Sequence, residues 1–132
     1  MRPKAMQRLI ALTLLLAACG PDETVSGYAV DGAIYQLDTI DAVPFPAMAT
    51  ITFGDNGAVS GTAPCNSYST TQTAPYPWFA LSPIASTRRA CPDLAAEADF
   101  FAALSAMTLS EAGGNILILS NDAGRAMVFQ VE

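Results

Sequence analysis

The first eighteen residues have a pattern that distinguishes them from the rest of the chain. The folded domain is therefore expected to form from the residues that follow them. Arg2, Lys4 and Arg8 precede or border an apolar run over residues 9–16. A membrane-spanning helix needs about 20 apolar residues, so this run is too short to cross a bilayer. A cationic start followed by a short apolar run is typical of a secretory signal peptide. We therefore predict that residues 1–18 are removed on export.

The apolar run ends in Leu16-Ala17-Ala18-Cys19, which resembles the lipobox of bacterial lipoproteins. The resemblance implies cleavage after Ala18, acylation of Cys19 by diacylglycerol, and attachment to a membrane of the cell envelope. Gly20 stands where an aspartate would mark retention in the inner membrane, so an outer-membrane anchor facing the periplasm is expected. An ordinary secretory signal cleaved after Ala18 and an N-terminal helix are the alternatives.

Charge excludes two classes of partner. The whole chain has a net charge of −6, but three of its six cations precede Cys19. From residue 19 onward, three arginines against twelve acidic residues give a net charge of −9. Nucleic acid is not an expected partner, because phosphate binding needs clustered Lys or Arg. The same deficit argues against docking on anionic lipid through a basic face, so membrane attachment is expected to be covalent.

The three cysteines divide into one anchor and one pair. With Cys19 acylated, Cys65 and Cys91 remain in a compartment that permits oxidation, and we predict a disulfide between them. Zinc binding is the alternative. It lacks partners, because closed zinc sites usually need four Cys or His ligands and the chain has no histidine. Neither a metal nor another cofactor is expected.

Alternating residues predict a domain rich in β-strands. The clearest unit is a hairpin, in which residues 49–53 and 59–62 flank the turn residues 54–57. A turn or bulge is expected at Asp31-Gly32. A strand-rich stretch, a long connection and a short strand complete this part of the chain, at residues 26–40, 63–76 and 78–84.

A single helix is predicted late in the domain. Pro92 suits a first helical turn, and acidic residues follow it near the positive end of the helix dipole. We predict a helix over about residues 92–107. Its apolar stripe is expected to contain Leu94, Ala98, Phe101 and Leu104, widened by Phe100 and Met107. A C-terminal meander of three strands should follow, at residues 108–111, 116–120 and 126–131.

These patterns predict an α+β fold, a small antiparallel and partly open β-barrel with one inserted helix. At 132 residues the chain has room for one domain. The expected organisation is a lipoprotein signal peptide at 1–18, a lipidated tether at 19–25 and a single folded domain at 26–132.

Three blocks of sequence occur in a particular order: Gly61 with Cys65-Asn66-Ser67-Tyr68, then residues 86–92, then residues 97–104. In order and spacing they resemble the META domain family of HslJ-like heat-shock and envelope lipoproteins, over about residues 27–131. The resemblance implies an antiparallel, partly open barrel with a helix, often exported and lipid-anchored. It also implies a link to envelope stress, with no agreed biochemical activity. Pro64 and Tyr28 depart from the glycine and tryptophan usual in the family.

Catalytic chemistry has little support in these residues. The lack of histidine removes the base that serine and cysteine nucleophiles need, and no lysine follows residue 18. We therefore expect no enzyme and assign no catalytic residue. Asp38 with Asp41, or Glu97 with Asp99, could form a carboxylate pair for acid and base catalysis. Solvated surface charge is the favoured interpretation of all four.

The residues beside the two cysteines are the candidate contacts for a ligand or partner: Asn66, Tyr68, Thr87 and Arg88. Arg88 and Arg89 precede Cys91 and the acidic start of the helix, so one of them is expected to pair with Glu97 or Asp99. Contact with an anionic ligand or partner is the alternative. Asn66 and Tyr68 could instead satisfy backbone groups in a tight turn.

Three functions are compatible with these features. The leading one is a non-enzymatic envelope lipoprotein that binds a partner protein, or a small apolar ligand inside the barrel. A barrel interior filled by its own side chains is favoured over a ligand cavity. The second function is a purely structural module of the envelope without a ligand, and the third is a hydrolase that uses paired carboxylates.

Overall fold

The computed structural model describes residues 20–132, so the predicted signal peptide and Cys19 lie outside the described residues. Short 3-10 helices occupy Val25–Gly27 and Asp55–Gly57. No helix within residues 20–132 is long and apolar enough to cross a membrane. The other elements of this range are β1 (Tyr35–Ile40), β2 (Val43–Pro44), β3 (Thr50–Phe53), β4 (Ala58–Thr62), β5 (Ser67–Thr71), β6 (Ala85–Ser86), α1 (Leu94–Ala106), β7 (Leu109–Gly113), β8 (Ile116–Ser120) and β9 (Ala126–Val131).

The strands form one antiparallel sheet in the order β6-β5-β4-β3-β1-β9-β8-β7, with β2 attached to β1. The sheet is not closed. Residues near Pro77 border its β7 edge, because the N–H of Ser110 donates to the Pro77 carbonyl at 2.7 Å and that of Phe79 to the Thr108 carbonyl at 2.9 Å. The predicted α+β architecture, a partly open antiparallel barrel with one helix, is confirmed.

Side chains fill the space between the sheet and the helix. Tyr35, Phe79, Phe100 and Phe129 are the largest of them, and all four are fully buried. Aliphatic residues from the two halves of the sheet, such as Ile51 and Leu117, pack around the rings. Each such side chain contributes roughly 1.5–3 kcal/mol to folding by leaving water.

The helix lies close to its predicted range, but the predicted apolar stripe is wrong at two positions. Leu94 is 45% exposed and Ala98 is also exposed. The buried face instead consists of Glu97, Phe100, Ala103 and Leu104. These positions share one face because residues three and four apart are neighbours on a helix. An acidic residue, Glu97, therefore takes a core-facing position that the predicted apolar stripe did not include.

The predicted hairpin and C-terminal meander are confirmed as β3–β4 and β7–β8–β9. Two other expectations are wrong. The connection at 63–76 contains β5, which escaped notice because Tyr68 is its only apolar residue. The strand at 78–84 is absent: Trp78 and Leu81 form only isolated bridges, since the flanking prolines lack the N–H that a regular ladder needs.

The N-terminal segment packs onto the domain earlier than expected. Within the strand-rich stretch at 26–40, the regular strand begins only at Tyr35. Val25 is 1% exposed and belongs to the core. The N–H of Tyr76 donates to the Glu23 carbonyl at 2.7 Å, and the backbone of Asp22 touches Gly27 so closely that no side chain would fit there. Of the predicted tether at 19–25, only Gly20 and Pro21 among the described residues precede this packed backbone.

The strand registers define two ends of the barrel. We call the first the tether end, because Tyr35 at the start of β1 faces Val131 at the end of β9, and the N-terminal segment leads into it. Ile116 at the start of β8 lies at this end too, paired with Gly113. We call the opposite end the disulfide end, because the loop from Thr62 to Ser67, which contains Cys65, lies there.

Candidate interaction site at the disulfide end

A disulfide joins Cys65 to Cys91, as predicted. The two Cα atoms are 5.6 Å apart, within the usual range for such a bond. Cys65 lies in the loop between β4 and β5, and Cys91 lies just before α1. The bond therefore attaches the start of the helix to the sheet and sets the position of the residues on either side of it.

Glu97 lies beneath this disulfide and is only 5% exposed. Its Oε2 accepts the N–H of Cys65 at 2.6 Å, and its Oε1 accepts the side-chain amide of Asn66 at 2.7 Å. The expectation that Glu97 is solvated surface charge is therefore wrong. A carboxylate that accepts a backbone N–H and a side-chain amide compensates for its burial through charge-assisted hydrogen bonds. Sequence reasoning missed this role, although Glu97 opens one of the family-like blocks.

Asn66 is also buried, and its amide connects three segments. Besides Glu97, its Nδ2 donates to the carbonyl of Arg89 at 3.1 Å. Its Oδ1 accepts the N–H of Arg89 at 2.6 Å and the hydroxyl of Thr87 at 2.9 Å. Every donor and acceptor of the side chain is thus used inside the protein. Asn66 acts as a clamp on the backbone of Arg89 rather than as a surface contact.

Tyr68 and Gly61 form a second internal contact. The Tyr68 hydroxyl donates to the carbonyl of Thr50 at 2.6 Å, and burial raises the pKa of this phenol well above its ordinary value. Gly61 lies between them, where a Cβ would collide with the Thr50 carbonyl and lie 2.9 Å from the Tyr68 hydroxyl. The spacing of Gly61 and Tyr68 in the family-like motif thus reflects close packing of three strands.

Replacing Gly61 by alanine should lower the free energy of unfolding by about 2 kcal/mol, because the added methyl group displaces backbone in a filled core. Urea unfolding followed by circular dichroism would measure the loss. Gly113→Ala is the matched control: this strand glycine has open space around its Cα, and the change should stay under about 0.5 kcal/mol. Equal effects of the two substitutions would contradict the packing explanation.

Arg88 and Arg89 are exposed beside a groove of about 420 Å³ between residues 86–90 and the helix. We call it the arginine groove; Leu94, Ala98 and Phe101 form its apolar side. The expected ion pair with Glu97 or Asp99 is not formed. Within residues 20–132 the single salt bridge joins Arg125 to Asp41 at 3.0 Å. Both groove arginines therefore keep their charge available to a partner.

The Arg125–Asp41 pair stabilises a tight turn between β1 and β2. Asp41 and Ala42 both have positive φ, the conformation of a two-residue hairpin turn. The Asp41 carboxylate accepts the N–H of Ala126 at 3.0 Å as well as the guanidinium of Arg125. The Ala126 N–H, and then Arg125, lower the pKa of Asp41 below its ordinary 3.8.

Lowering the pH should destabilise this turn over a defined pH range. A carboxyl group with a lowered folded-state pKa stabilises the protein above its unfolded pKa, and that contribution is lost as the pH falls through the folded value. Asp41→Asn should therefore be less stable than the parent at pH 7, and the gap should narrow as the pH falls from ~5 to ~2. Urea midpoints across this range would measure it. A gap that stays constant would contradict the assignment.

The candidate contacts named from sequence separate into two groups. Thr87 and Arg88 are at the surface, whereas Asn66 and Tyr68 are buried and bonded internally. Of the carboxylates considered for catalysis, Asp41 is held by Arg125 and Ala126, and Glu97 by Cys65 and Asn66. No group of three or more metal-ligating side chains occurs within the described range. Leu94, which was predicted to belong to the apolar stripe of the helix, lines the groove, and so does Phe101, whose ring also packs against Tyr68 and Phe100.

The fold and the site together define a small, partly open β-barrel domain. The family-like blocks of its sequence contribute to packing and hydrogen bonds inside the protein, through Gly61, Asn66, Tyr68 and Glu97. The model of the META domain family matches residues 29–132, and the chain belongs to this family, which is not a known enzyme family.

Solved structures confirm the fold. A protein from Burkholderia xenovorans, solved by NMR, is 21% identical with a TM-score of 0.64, covering 87% of this chain and 92% of that one. A DUF4847 family protein from Bacteroides vulgatus, solved by crystallography, is 13% identical with a TM-score of 0.66, covering 80% and 96%. No curated protein matches the chain.

Proposed function

We propose that this chain is a non-enzymatic lipoprotein of the cell envelope, anchored through acylated Cys19 in the outer membrane and facing the periplasm. Its META domain binds a partner protein at the arginine groove. The observation that carries the partner-binding proposal is the pair of exposed, unpaired arginines beside Leu94 and Phe101. In a domain with a net charge of −9, such a local cationic surface favours an acidic segment that also carries an apolar residue.

The geometry around the groove supports binding by a prearranged surface. Asn66 bonds both backbone groups of Arg89, and the disulfide at Cys91 fixes the chain two residues later. A backbone already held in place loses little conformational freedom when a partner docks, which favours affinity. The carboxylate of Glu97 accepts hydrogen bonds from Cys65 and Asn66 and forms no salt bridge with Arg88 or Arg89.

A small apolar ligand inside the barrel is a weaker candidate. The interior positions are filled by Tyr35, Phe79, Phe100 and Phe129. A ligand site, in contrast, is a cavity whose walls cover most of the ligand's surface. A structural module without any partner is the stronger alternative, because the polar groups of Asn66, Tyr68 and Glu97 form hydrogen bonds inside the protein. An envelope-stress role is supported by family membership alone.

Site-specific crosslinking in intact cells tests the binding proposal. A photoreactive residue in place of Arg88 should capture a reproducible partner, whereas the same residue in place of Asp122, an exposed turn residue at the same end, should not. The double substitution Arg88→Glu with Arg89→Glu should abolish capture by a neighbouring probe at Ala90. A lack of any reproducible adduct from Arg88 would favour the purely structural module.

A further inference from the structure

Four apolar side chains are exposed at the tether end of the barrel. Tyr28, Val30, Ile34 and Ile116 are each between 37% and 54% exposed, and they make up half of the large hydrophobic residues exposed within residues 20–132. Ile34 precedes β1 and Ile116 begins β8. Clustered apolar residues on a surface mark a contact with another apolar phase or molecule.

The same end is tied to the start of the folded chain. The ring of Tyr28 stacks on that of Tyr76 with centroids 4.0 Å apart, and Tyr76 bonds the carbonyl of Glu23. The N–H of Val30 donates to the hydroxyl of Tyr35 at 2.8 Å, so this segment is held against the start of β1. Tyr28 and Val30 therefore lie beside the point where the chain enters the domain, at the same end of the barrel as Ile34 and Ile116.

Only Gly20 and Pro21 separate Cys19 from Asp22, whose backbone packs on Gly27. Three residue steps reach at most about 11 Å. The headgroup region on each side of a bilayer is roughly 5–8 Å thick. An acyl chain on Cys19 that enters the hydrocarbon therefore keeps Asp22, and the tether end with it, within about 6 Å of the outer edge of the headgroups.

We propose that the tether end is a membrane-contact surface, on which Tyr28, Val30, Ile34 and Ile116 rest in the headgroup region of a zwitterionic bilayer. The contact rests on the proposed acylation of Cys19. Tyrosine suits this depth because its ring is apolar and its hydroxyl is polar. The arginine groove, at the opposite end of the strands, then faces away from the membrane and toward periplasmic partners.

The charges around the tether end favour contact with one type of lipid headgroup. Acidic residues surround the contact and are exposed: Asp22, Glu23, Asp31 and Glu132. All three arginines of the described chain lie elsewhere: two are beside the disulfide, and Arg125 is in the connection between β8 and β9, where it pairs with Asp41. Anionic headgroups would therefore be repelled at the tether end, and their electrostatic effect falls off within a Debye length of the surface.

Fluorescence quenching of the acylated full-length protein tests this orientation. The protein carries Trp78→Phe, which removes its one tryptophan, and is placed in phosphatidylcholine vesicles with brominated acyl chains. A probe from Ile34→Trp should lose most of its emission. The matched probe from Met48→Trp, an exposed residue next to Ala49 on the side of the disulfide end, should keep most of its emission. Adding anionic lipid should restore emission from the first probe.

The mass of the N-terminal peptide is measured first on the same sample. An unmodified Cys19 would overturn the anchor and, with it, the membrane contact. If Cys19 is acylated and the protein floats with the vesicles, equal emission loss from both probes, or none from either, would overturn the contact while leaving the anchor intact.

Discussion

Substituting serine for both Cys65 and Cys91 should lower the free energy of unfolding by about 3.5 kcal/mol, because the disulfide removes conformations from the unfolded chain over a separation of 26 residues. The Cα distance of 5.6 Å needs no movement of the backbone to form the bond. For a domain of this size that loss is a large part of the total stability.

Urea unfolding of the parent and the double variant, each with and without reductant, would measure this contribution. Reductant should destabilise the parent and leave the double variant unchanged. The hydrogen bond from the Cys65 N–H to Glu97 is a backbone contact and survives the substitution, so the difference reports on the disulfide itself. A loss below about 1 kcal/mol would show that other contacts already restrict the 65–91 loop.

Glu97→Ala should cost about 3 kcal/mol, because it removes both acceptors of a buried carboxylate and leaves the Cys65 N–H and one Asn66 N–H without partners. Glu97→Gln should cost less, since its amide oxygen can still accept one of the two hydrogen bonds. The NH2 group of the substituted glutamine faces the other donor, and it cannot accept a hydrogen bond from it. The variants are compared by urea unfolding under oxidising conditions.

Asp99→Ala is the matched control, because Asp99 is an exposed carboxylate two residues further along the same helix. Its effect should stay within about 0.5 kcal/mol. Combining Glu97→Ala with Asn66→Ala should cost clearly less than the two single losses added together, since both remove the same contact. Equal stabilities of the Glu97→Ala and Asp99→Ala variants would show that the buried network adds nothing.

Local pattern was sufficient for the elements whose neighbours in space are also neighbours in sequence. The β3–β4 hairpin follows from alternating residues around a four-residue turn, and the meander of β7, β8 and β9 follows from two glycine-containing turns. The helix was predicted from Pro92 and the acidic residues after it. Each of these signals lies within about twenty residues, where periodicity and turn chemistry are informative.

The failures arise where distant segments meet. β5 is a different case: it follows β4 after only four residues, and it was missed because it has a single apolar side chain and shows no alternating pattern. Glu97 looked like an ordinary surface carboxylate because its two partners stand more than thirty residues earlier. One of the two arginines was expected to pair with Glu97 or Asp99, but the Glu97 oxygens accept hydrogen bonds from Cys65 and Asn66 instead. No local window contains this information.

Residue order alone determined the fold class, the family resemblance, the pairing of Cys65 with Cys91 and the exclusion of histidine-based catalysis. These conclusions depend on residue types, counts and short spacings. The tertiary structure decided which side chains are buried, because burial depends on what packs against each face of a strand or helix. It placed Asn66, Tyr68 and Glu97 inside, where an unpaired polar group is costly, and left Arg88 and Arg89 at the surface.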